Sequence, residues 1–320
     1  MTASVAIVGA GAIGAWIGDA LDRAGWAVSM VARGATLAAL REAGLRVQRG
    51  GEIRCSHPRA GSAGELGVHD YVILTVKAQI LPELAPQLAA LIGPSTVVIS
   101  GTNGIPWWFF HDFGGALANL SLRSVDPDRS QERTFPRQRV LGSVVHASAR
   151  LLSPGHVQVV AADRLILGEP SGRLTRRVEE VVAALRSGDI NAEASDRIRH
   201  AVWSKLWGNM NMNPISALTR SGTSRMLADP DVRDLCVRMM EEMQLCARRL
   251  DLHMDMTPAE RIAVTQRLGD FKTSMLADLE SGRPLELAPQ LGAVAEIADR
   301  LGIPAPFMHS ILGLTRLISA

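Results

Sequence analysis

The feature that most constrains this chain is a glycine pattern close to its start. Val5-Ala6-Ile7-Val8 is a short apolar run typical of a buried strand, and Gly9-Ala10-Gly11-Ala12-Ile13-Gly14 follows it directly. A helical stretch then runs from about Ile13 to Ala24. Glycines spaced in this way allow a tight turn, close approach of a pyrophosphate to the backbone, and close packing of the helix on the strand. The free N–H groups at a helix start favour phosphate, so residues 9–14 are predicted to bind a dinucleotide.

The rest of the first half alternates strand-like and helical segments. Further strands are predicted at Ala27–Ala32, Tyr71–Val76 and Thr96–Ser100, each bounded by turn or helix signals. This alternation is typical of a parallel sheet with crossover helices. We therefore expect an α/β fold with a Rossmann-type dinucleotide-binding domain at the N-terminal end.

The pattern changes after a polar, proline-containing stretch at about Ser124–Arg139. Shorter strands are predicted there, at Arg139–His146, Val157–Ala161 and Leu165–Leu167. From about Asp196 the chain is helical with short breaks, and 320 residues exceed the usual size of one domain. We expect an NADP-binding domain over residues 1–190 and an all-helical, substrate-binding and catalytic domain over residues 191–320.

Composition and charge exclude several classes of partner. The formal net charge is +2, with 47% apolar and 21% charged residues, so neither nucleic acid nor an anionic membrane is expected as partner. Cys55, Cys236 and Cys246 are far apart, which predicts neither a disulfide framework nor a zinc site, and no other metal-ligand cluster is evident. There is no run of about 18 apolar residues and no signal-peptide pattern. We expect a cytoplasmic protein.

Arg33 bears on the choice of dinucleotide. It follows the second predicted strand, at about the distance from the glycines where NAD enzymes place an acidic residue for the ribose 2′-hydroxyl. A guanidinium makes charge-assisted, bidentate bonds with phosphate, so Arg33 favours the 2′-phosphate of NADP. The alternative is a solvated surface arginine.

Two polar residues follow predicted strands of the sheet. Lys77 comes after Tyr71–Val76, and Asn103 lies in Gly101-Thr102-Asn103-Gly104 after Thr96–Ser100. Ligands of open α/β sheets bind beyond the carboxyl ends of the strands, so both side chains are candidates for cofactor contact, and Asn103 also for substrate contact. The alternatives are an exposed lysine at a helix start and an ordinary Asn-Gly turn.

A third group of candidates lies in the helical half. Lys205, Asn209 and Asn213 are spaced four residues apart, which places them on one face of a helix otherwise rich in tryptophan, leucine and methionine. A buried lysine with no evident carboxylate partner is costly unless it serves a ligand, and burial lowers its pKa toward values useful for proton donation. An exposed polar face is the alternative. Ser274 and Glu286 flank a further helix and are weaker candidates on spacing alone.

Taken together, these residues resemble the ketopantoate reductase (2-dehydropantoate 2-reductase) family. The resemblance covers nearly the whole chain and depends on the order and spacing of several motifs. The motifs are Gly9-x-Gly11-x-x-Gly14, Lys77, Asn103-Gly104, Lys205-x-x-x-Asn209-x-x-x-Asn213-Pro214, and Ser274-Met275 followed by Gly282-Arg283 and Glu286.

The resemblance implies NADPH-dependent reduction of 2-dehydropantoate to pantoate, as in pantothenate and coenzyme A biosynthesis, in a cleft between domains that closes on binding. It implies that Lys205 is the general acid that protonates the carbonyl oxygen. It also implies that Glu286 binds the substrate hydroxyl and Ser274 the carboxylate. The remaining implied contacts are to substrate at Asn209 and Asn213, to cofactor and substrate at Asn103, and to the nicotinamide end at Lys77.

Two departures from the family pattern leave the substrate open. Phe271 stands three residues before Ser274, where some members have an asparagine, and the Trp107–Phe110 aromatic run replaces shorter, more polar residues. That run is a lid over the pocket, an oligomer contact, or core.

The alternatives to this function are a reductase of another branched 2-oxo acid on the same scaffold and, less favoured, a non-catalytic NADP sensor. A sensor has no need of Lys205 or Glu286. The expected partner is a small 2-oxo acid, and a homodimer stays open.

Overall fold

The computed structural model describes residues 2–319, except for the side chains of 116, 162 and 163, and these residues form two compact units. The first unit consists of residues 2–102, 107–121 and 128–198. The second consists of residues 103–106, 122–127 and 199–319. The sequence did not predict that two short segments from the first half of the chain belong to the helical unit, and one of these segments contains Asn103.

The first unit is built on a ten-stranded sheet. Its strands are β1 (Ser4–Val8), β2 (Ala27–Val31), β3 (Leu45–Arg49), β4 (Glu52–Ser56), β5 (Arg59–Gly61), β6 (Tyr71–Leu74), β7 (Val97–Ser100), β8 (Val140–Ser153), β9 (His156–Gly168) and β10 (Ala192–Ala194). The strand order is β4-β3-β9-β8-β7-β6-β1-β2-β5, and β10 pairs with β9. From β8 to β5 all neighbouring strands are parallel. The predicted α/β Rossmann-type fold is confirmed.

Six α-helices belong to this unit. They are α1 (Ala12–Arg23), α2 (Gly34–Ala43), α3 (Ala63–Leu66), α4 (Leu81–Leu88), α5 (Ser130–Thr134) and α6 (Arg176–Ser187). β2 lies on one side of β1, and β6, which comes later in the chain, lies on the other side. The strand order therefore reverses between β1 and β6, and ligands of open α/β sheets bind at the carboxyl ends of strands beside such a switch point.

The observed strands differ from the predicted ones at several places. β6 ends at Leu74 instead of Val76, and the three short strands predicted after Arg139 are two long strands, β8 and β9, paired as an antiparallel hairpin. The hairpin register shifts between His146 and Ala147 and again further along. Such irregularities interrupt the alternation of buried and exposed residues, and this is why continuous strands were predicted as fragments.

The Trp107–Phe110 aromatic run is core of the first unit. All four side chains are at most 6% exposed. Their rings contact other aromatic side chains of the same unit: Trp107 lies 5.2 Å from Phe135, and Phe110 lies 5.1 Å from Phe113 between ring centroids. Of the three alternatives left open by the sequence, the structure supports the core.

The second unit is helical, as predicted. Its α-helices are α7 (Ile198–Thr219), α8 (Thr223–Ala228), α9 (Pro230–Arg249), α10 (Pro258–Arg267), α11 (Ser274–Glu280), α12 (Ala293–Leu301) and α13 (Pro306–Ile318), and a π-helix at Ala288–Gly292 leads into α12. α7 packs on α9, where the Trp207 indole donates to the carbonyl of Met240 at 3.0 Å. The Glu242 carboxylate accepts hydrogen bonds from the first backbone N–H groups of α13.

Among residues 2–319, no helix has both the length and the apolar character needed to cross a membrane.

Candidate active site

The glycine loop after β1 is shaped by close contacts within the first unit. Gly9 has φ +105°, a conformation that favours glycine, and a Cβ there would lie 2.9 Å from the backbone nitrogen of Val76. A Cβ at Gly14 would overlap the carbonyl oxygen of Gly9. A Cβ at Gly11, by contrast, would meet no atom within 4 Å. Two glycines therefore pack the loop, and the third faces open space.

Thr75 holds the same loop from the neighbouring strand. Its hydroxyl lies 2.9 Å from the carbonyl oxygen of Gly9 and 3.0 Å from that of Val8, and it donates to these acceptors. The sequence did not single out Thr75, because the strand was predicted to continue to Val76. One sequence signal could have identified Thr75. It is a small hydroxyl residue at the end of a strand that lies beside a glycine loop.

The start of α1 suits an anionic ligand. Gly11 is the N-cap residue, no side chain caps the helix, and no acidic residue lies in its first turn. The first N–H groups of the helix and its dipole are therefore available to a phosphate. Together with the open space above Gly11, these features fit the pyrophosphate of a dinucleotide.

Arg33 lies at the carboxyl end of β2, as predicted. It is exposed and is the N-cap residue of α2, whose first turn also lacks an acid. Among the described residues, its guanidinium has no hydrogen-bond or ion-pair partner, so it is available to a ligand phosphate. Lys77 follows β6 within the same unit and is partly buried.

The second unit brings three predicted residues together. The ammonium of Lys205, on α7, donates to Asn103 Oδ1 at 2.8 Å. The same Asn103 amide donates through Nδ2 to Glu286 Oε2 at 3.2 Å. Asn103 thus lies between a cation and a carboxylate and contacts each with the appropriate end of its amide. Glu286 is only 7% exposed, so the carboxylate lies within the protein rather than on its surface.

This environment sets the pKa of Lys205. Burial disfavours the ammonium and lowers its pKa, while the negative charge of Glu286 raises it, and the balance lies at about 8 instead of 10.5. A lysine with that pKa is largely protonated at neutral pH and releases its proton far more readily than a surface lysine. The group is suited to donate a proton to an oxygen that gains negative charge.

The two asparagines that follow Lys205 on α7 have different surroundings. Asn209 is partly exposed, and its side-chain amide has no hydrogen-bond partner among the described residues, so it is free for a ligand. Asn213 is 6% exposed, and its Nδ2 donates to Gln290 Oε1 at 2.9 Å. One N–H group of its amide is therefore committed to another side chain. The sequence did not predict a role for Gln290, which has no recognisable motif around it.

Ser274 and Phe271 lie at or before the start of α11. Ser274 is exposed at the first position of the helix, and its hydroxyl has no partner within residues 2–319. Phe271 is 40% exposed. The structure does not show a contact between Ser274 and Lys205, Asn103 or Glu286.

Comparison with known families identifies the family of this chain. The family model described as ketopantoate reductase PanE/ApbA matches residues 5–172, and the model described as its C-terminal domain matches residues 197–319. The chain belongs to the ketopantoate reductase family. It is therefore a dinucleotide-binding oxidoreductase that acts on a CH–OH group, which agrees with the glycine loop in the first unit and the Lys205 cluster in the second.

Individual relatives are similar over their full length. A 2-dehydropantoate 2-reductase of Mesorhizobium japonicum is 39% identical over 317 residues, which cover 98% of this chain and 97% of that protein. A crystal structure from Ralstonia solanacearum, described as that of a ketopantoate reductase, has a TM-score of 0.95 and 41% identity and covers 99% of this chain and 98% of its own.

The same fold also occurs in an enzyme with a different name. The ternary structure of D-mandelate dehydrogenase with NADH and anilino(oxo)acetate has a TM-score of 0.84 and 20% identity, covering 99% of this chain and 98% of its own. At that identity the likeness concerns the fold alone. The fold by itself therefore does not decide the substrate, and the side chains around Lys205 have to be considered.

Proposed function

We propose that this chain catalyses the NADPH-dependent reduction of 2-dehydropantoate (ketopantoate) to pantoate, the reaction used in pantothenate and coenzyme A biosynthesis. The observation that carries the proposal is the hydrogen-bonded series Lys205–Asn103–Glu286. It combines a proton donor with lowered pKa and a buried carboxylate, in a chain whose relatives include 2-dehydropantoate 2-reductases.

The chemistry requires one hydride and one proton. NADPH, when bound, supplies the hydride to C2 of the substrate. The ketone oxygen then gains negative charge, and Lys205 donates a proton from Nζ to that oxygen, so that the product is a neutral hydroxyl and the lysine is left as a neutral amine. Water returns the proton to the amine before the next turnover. Asn103 holds the lysine side chain through its 2.8 Å hydrogen bond and keeps Nζ in place for the transfer.

Substrate recognition is assigned to polar groups of the second unit. Glu286 accepts a hydrogen bond from the terminal hydroxyl of ketopantoate, and Ser274 donates to the carboxylate. Asn103 and Asn209 make further contacts with the substrate. The free hydroxyl of Ser274 and the free amide of Asn209 support these assignments, because neither group has a protein partner to give up within the described residues. Asn213 contributes through its hydrogen bond to Gln290.

The reductase function is tested by NADPH oxidation across a panel of 2-oxo acids, with Lys205→Ala beside the natural chain. We expect turnover of ketopantoate to fall by about 10²–10⁴-fold in this variant, the range typical of a lost general acid, with NADPH affinity nearly unchanged. Lys272→Ala is the matched control, because Lys272 is an exposed lysine of the same unit that pairs with Glu280. Unchanged kcat in Lys205→Ala would remove Lys205 from the mechanism.

NADPH is proposed as the cofactor because Arg33 stands free at the end of β2. Arg33→Ala should weaken NADPH binding by about 1.5–3 kcal/mol, roughly tenfold or more, and leave NADH binding unchanged. Michaelis constants for both cofactors measure the effect. Arg59→Ala on the neighbouring strand β5 removes another exposed arginine and should change neither constant. A preference that survives Arg33→Ala would show that another group discriminates between the cofactors.

A second candidate function is reduction of another branched 2-oxo acid, and the exposed Phe271 favours it. Ketopantoate differs from 2-oxoisovalerate by a hydroxymethyl group, and a site built to bond a hydroxyl discriminates against the analogue that lacks it. The non-catalytic sensor is less favoured, because it does not account for the Lys205 cluster. A homodimer and a cytoplasmic location stay predictions.

The two substrates are distinguished by Glu286→Ala. We expect the natural chain to prefer ketopantoate over 2-oxoisovalerate strongly in kcat/KM. Glu286→Ala should shrink that preference, since only ketopantoate loses a hydrogen bond. The ratio of the two kcat/KM values cancels any loss common to both substrates, including an altered Lys205. Equal or better turnover of 2-oxoisovalerate by the natural chain would contradict the ketopantoate assignment and leave the reductase assignment in place.

A further inference from the structure

A buried amide pair joins α7 to the π-helix of the second unit. Asn213 lies on α7, two turns beyond Lys205, and donates from Nδ2 to Gln290 Oε1 at 2.9 Å. Gln290 is 1% exposed and lies in the π-helix Ala288–Gly292. Because both side chains are buried, neither can exchange this hydrogen bond freely for one with water, and breaking the pair leaves a buried polar group unsatisfied.

The π-helix has an unusual hydrogen-bond pattern that needs support. The N–H of Gly292 donates to the carbonyl of Leu287 at 3.0 Å, five residues earlier, where an α-helix would use the N–H of Leu291. Single π-turns of this kind occur frequently at functional sites. Relaxation to α-helical geometry would remove the extra residue from the turn and rotate the preceding residues, which include Glu286, by about 100° relative to α12.

The same π-helix holds the loop that carries Asn103. The N–H of Ile105 donates to the Pro289 carbonyl oxygen at 2.8 Å. Gly104, which lies between Asn103 and Ile105, has φ +87°, and a Cβ at this position would overlap the Pro289 carbonyl. The backbone next to Asn103 therefore lies directly on the π-helix, and this close approach requires glycine.

Two separate sets of contacts connect α7, which carries Lys205, to the segment that carries Glu286. In one direction, Lys205 reaches Glu286 through the side chain of Asn103. In the other direction, α7 contacts the π-helix through Asn213 and Gln290, and the π-helix begins two residues after Glu286 in the chain. The second connection consists of two uncharged amides and does not include Lys205 or Glu286.

We propose that Gln290 is a positioning residue: by tying the π-helix to α7, it sets the placement of Glu286 and Asn103 relative to the Lys205 ammonium. This inference rests on the proposed reductase function for its catalytic consequence, but its structural part concerns Lys205 alone. If the Asn213–Gln290 hydrogen bond is lost, Glu286 moves away from Lys205 and Asn103 no longer holds Nζ.

The direction of the effect on Lys205 follows from its surroundings. Among the described residues, Glu286 is the charged group that acts on Lys205, since Asn103, Asn213 and Gln290 are uncharged amides. The negative charge of Glu286 raises the pKa of Lys205, and burial lowers it. Withdrawal of Glu286 therefore lowers the pKa of Lys205 further, whereas a simple loss of fold stability would not move it.

The test compares Gln290→Met, which keeps the length of the side chain but removes the acceptor oxygen, with Gln290→Glu, which keeps that oxygen. The Lys205 pKa is read from the pH titration of its ¹³Cε resonance, with Lys205→Ala used for assignment. We expect the pKa in Gln290→Met to fall by about half a unit or more. We also expect kcat to fall by about 10-fold to 100-fold with an unchanged Michaelis constant for NADPH. Gln290→Glu should restore most of the loss in kcat, and its Lys205 pKa is not compared because the added carboxylate itself raises that pKa.

Two further variants separate positioning from stability. Asn211→Leu removes a fully buried amide from α7 whose Nδ2 donates to the Trp207 carbonyl, and it should lower Tm with the Lys205 pKa unchanged. Asn213→Ala removes the other partner of this hydrogen bond and should lower the Lys205 pKa as Gln290→Met does. It replaces Gln290→Met in the test if that variant does not fold. A natural-chain pKa in Gln290→Met or Asn213→Ala would overturn the proposal. Because the titration needs no substrate, it stays decisive even if ketopantoate is not reduced.

Discussion

The hydrogen bond between the Lys205 ammonium and Asn103 is the interaction on which the rest of the site depends. A partly buried lysine is costly, and here its charge is supported by a neutral amide oxygen at 2.8 Å rather than by a carboxylate in direct contact. A direct salt bridge would hold the proton firmly. The intervening amide weakens the influence of Glu286 enough that burial prevails, and the pKa of Lys205 falls to about 8.

Much of the local structure of the second unit serves this arrangement. Asn103 comes from a short segment far from α7 in the sequence, and the Ile105–Pro289 hydrogen bond and the close approach at Gly104 hold it in place. Glu286 lies just before a π-helix, and the buried Asn213–Gln290 hydrogen bond joins that π-helix to α7. The side chains next to Lys205 are therefore linked to a backbone contact and a buried amide pair that lie further from the ammonium.

The sequence correctly predicted those structural elements that local residue patterns specify. The glycine loop, β1, β2, β7 and the helix carrying Lys205, Asn209 and Asn213 lie where they were expected, because period and turn chemistry specify them. β6 ends at Leu74, and the Thr75 hydroxyl just beyond it donates to the Gly9 carbonyl, a contact between distant segments that leaves no local pattern. The β3–β4 hairpin was overlooked, because the side chains of β4 are mostly exposed and do not alternate with buried ones. The π-helix has no sequence signature at all. The meeting of Lys205, Asn103 and Glu286 was suggested by family resemblance, since long-range contacts leave no periodic signal.

The most direct test is the pH dependence of turnover, measured both for reduction of ketopantoate and for oxidation of pantoate. An acid with pKa about 8 must be protonated to assist reduction and deprotonated to assist oxidation of the product alcohol. Turnover of ketopantoate should be level below about pH 8 and fall about tenfold per pH unit above it, while oxidation of pantoate should rise through the same midpoint. Lys205→Ala should abolish both transitions. A reduction rate that stays level to pH 10, or a midpoint that survives Lys205→Ala, would contradict the central claim that Lys205 is the proton donor.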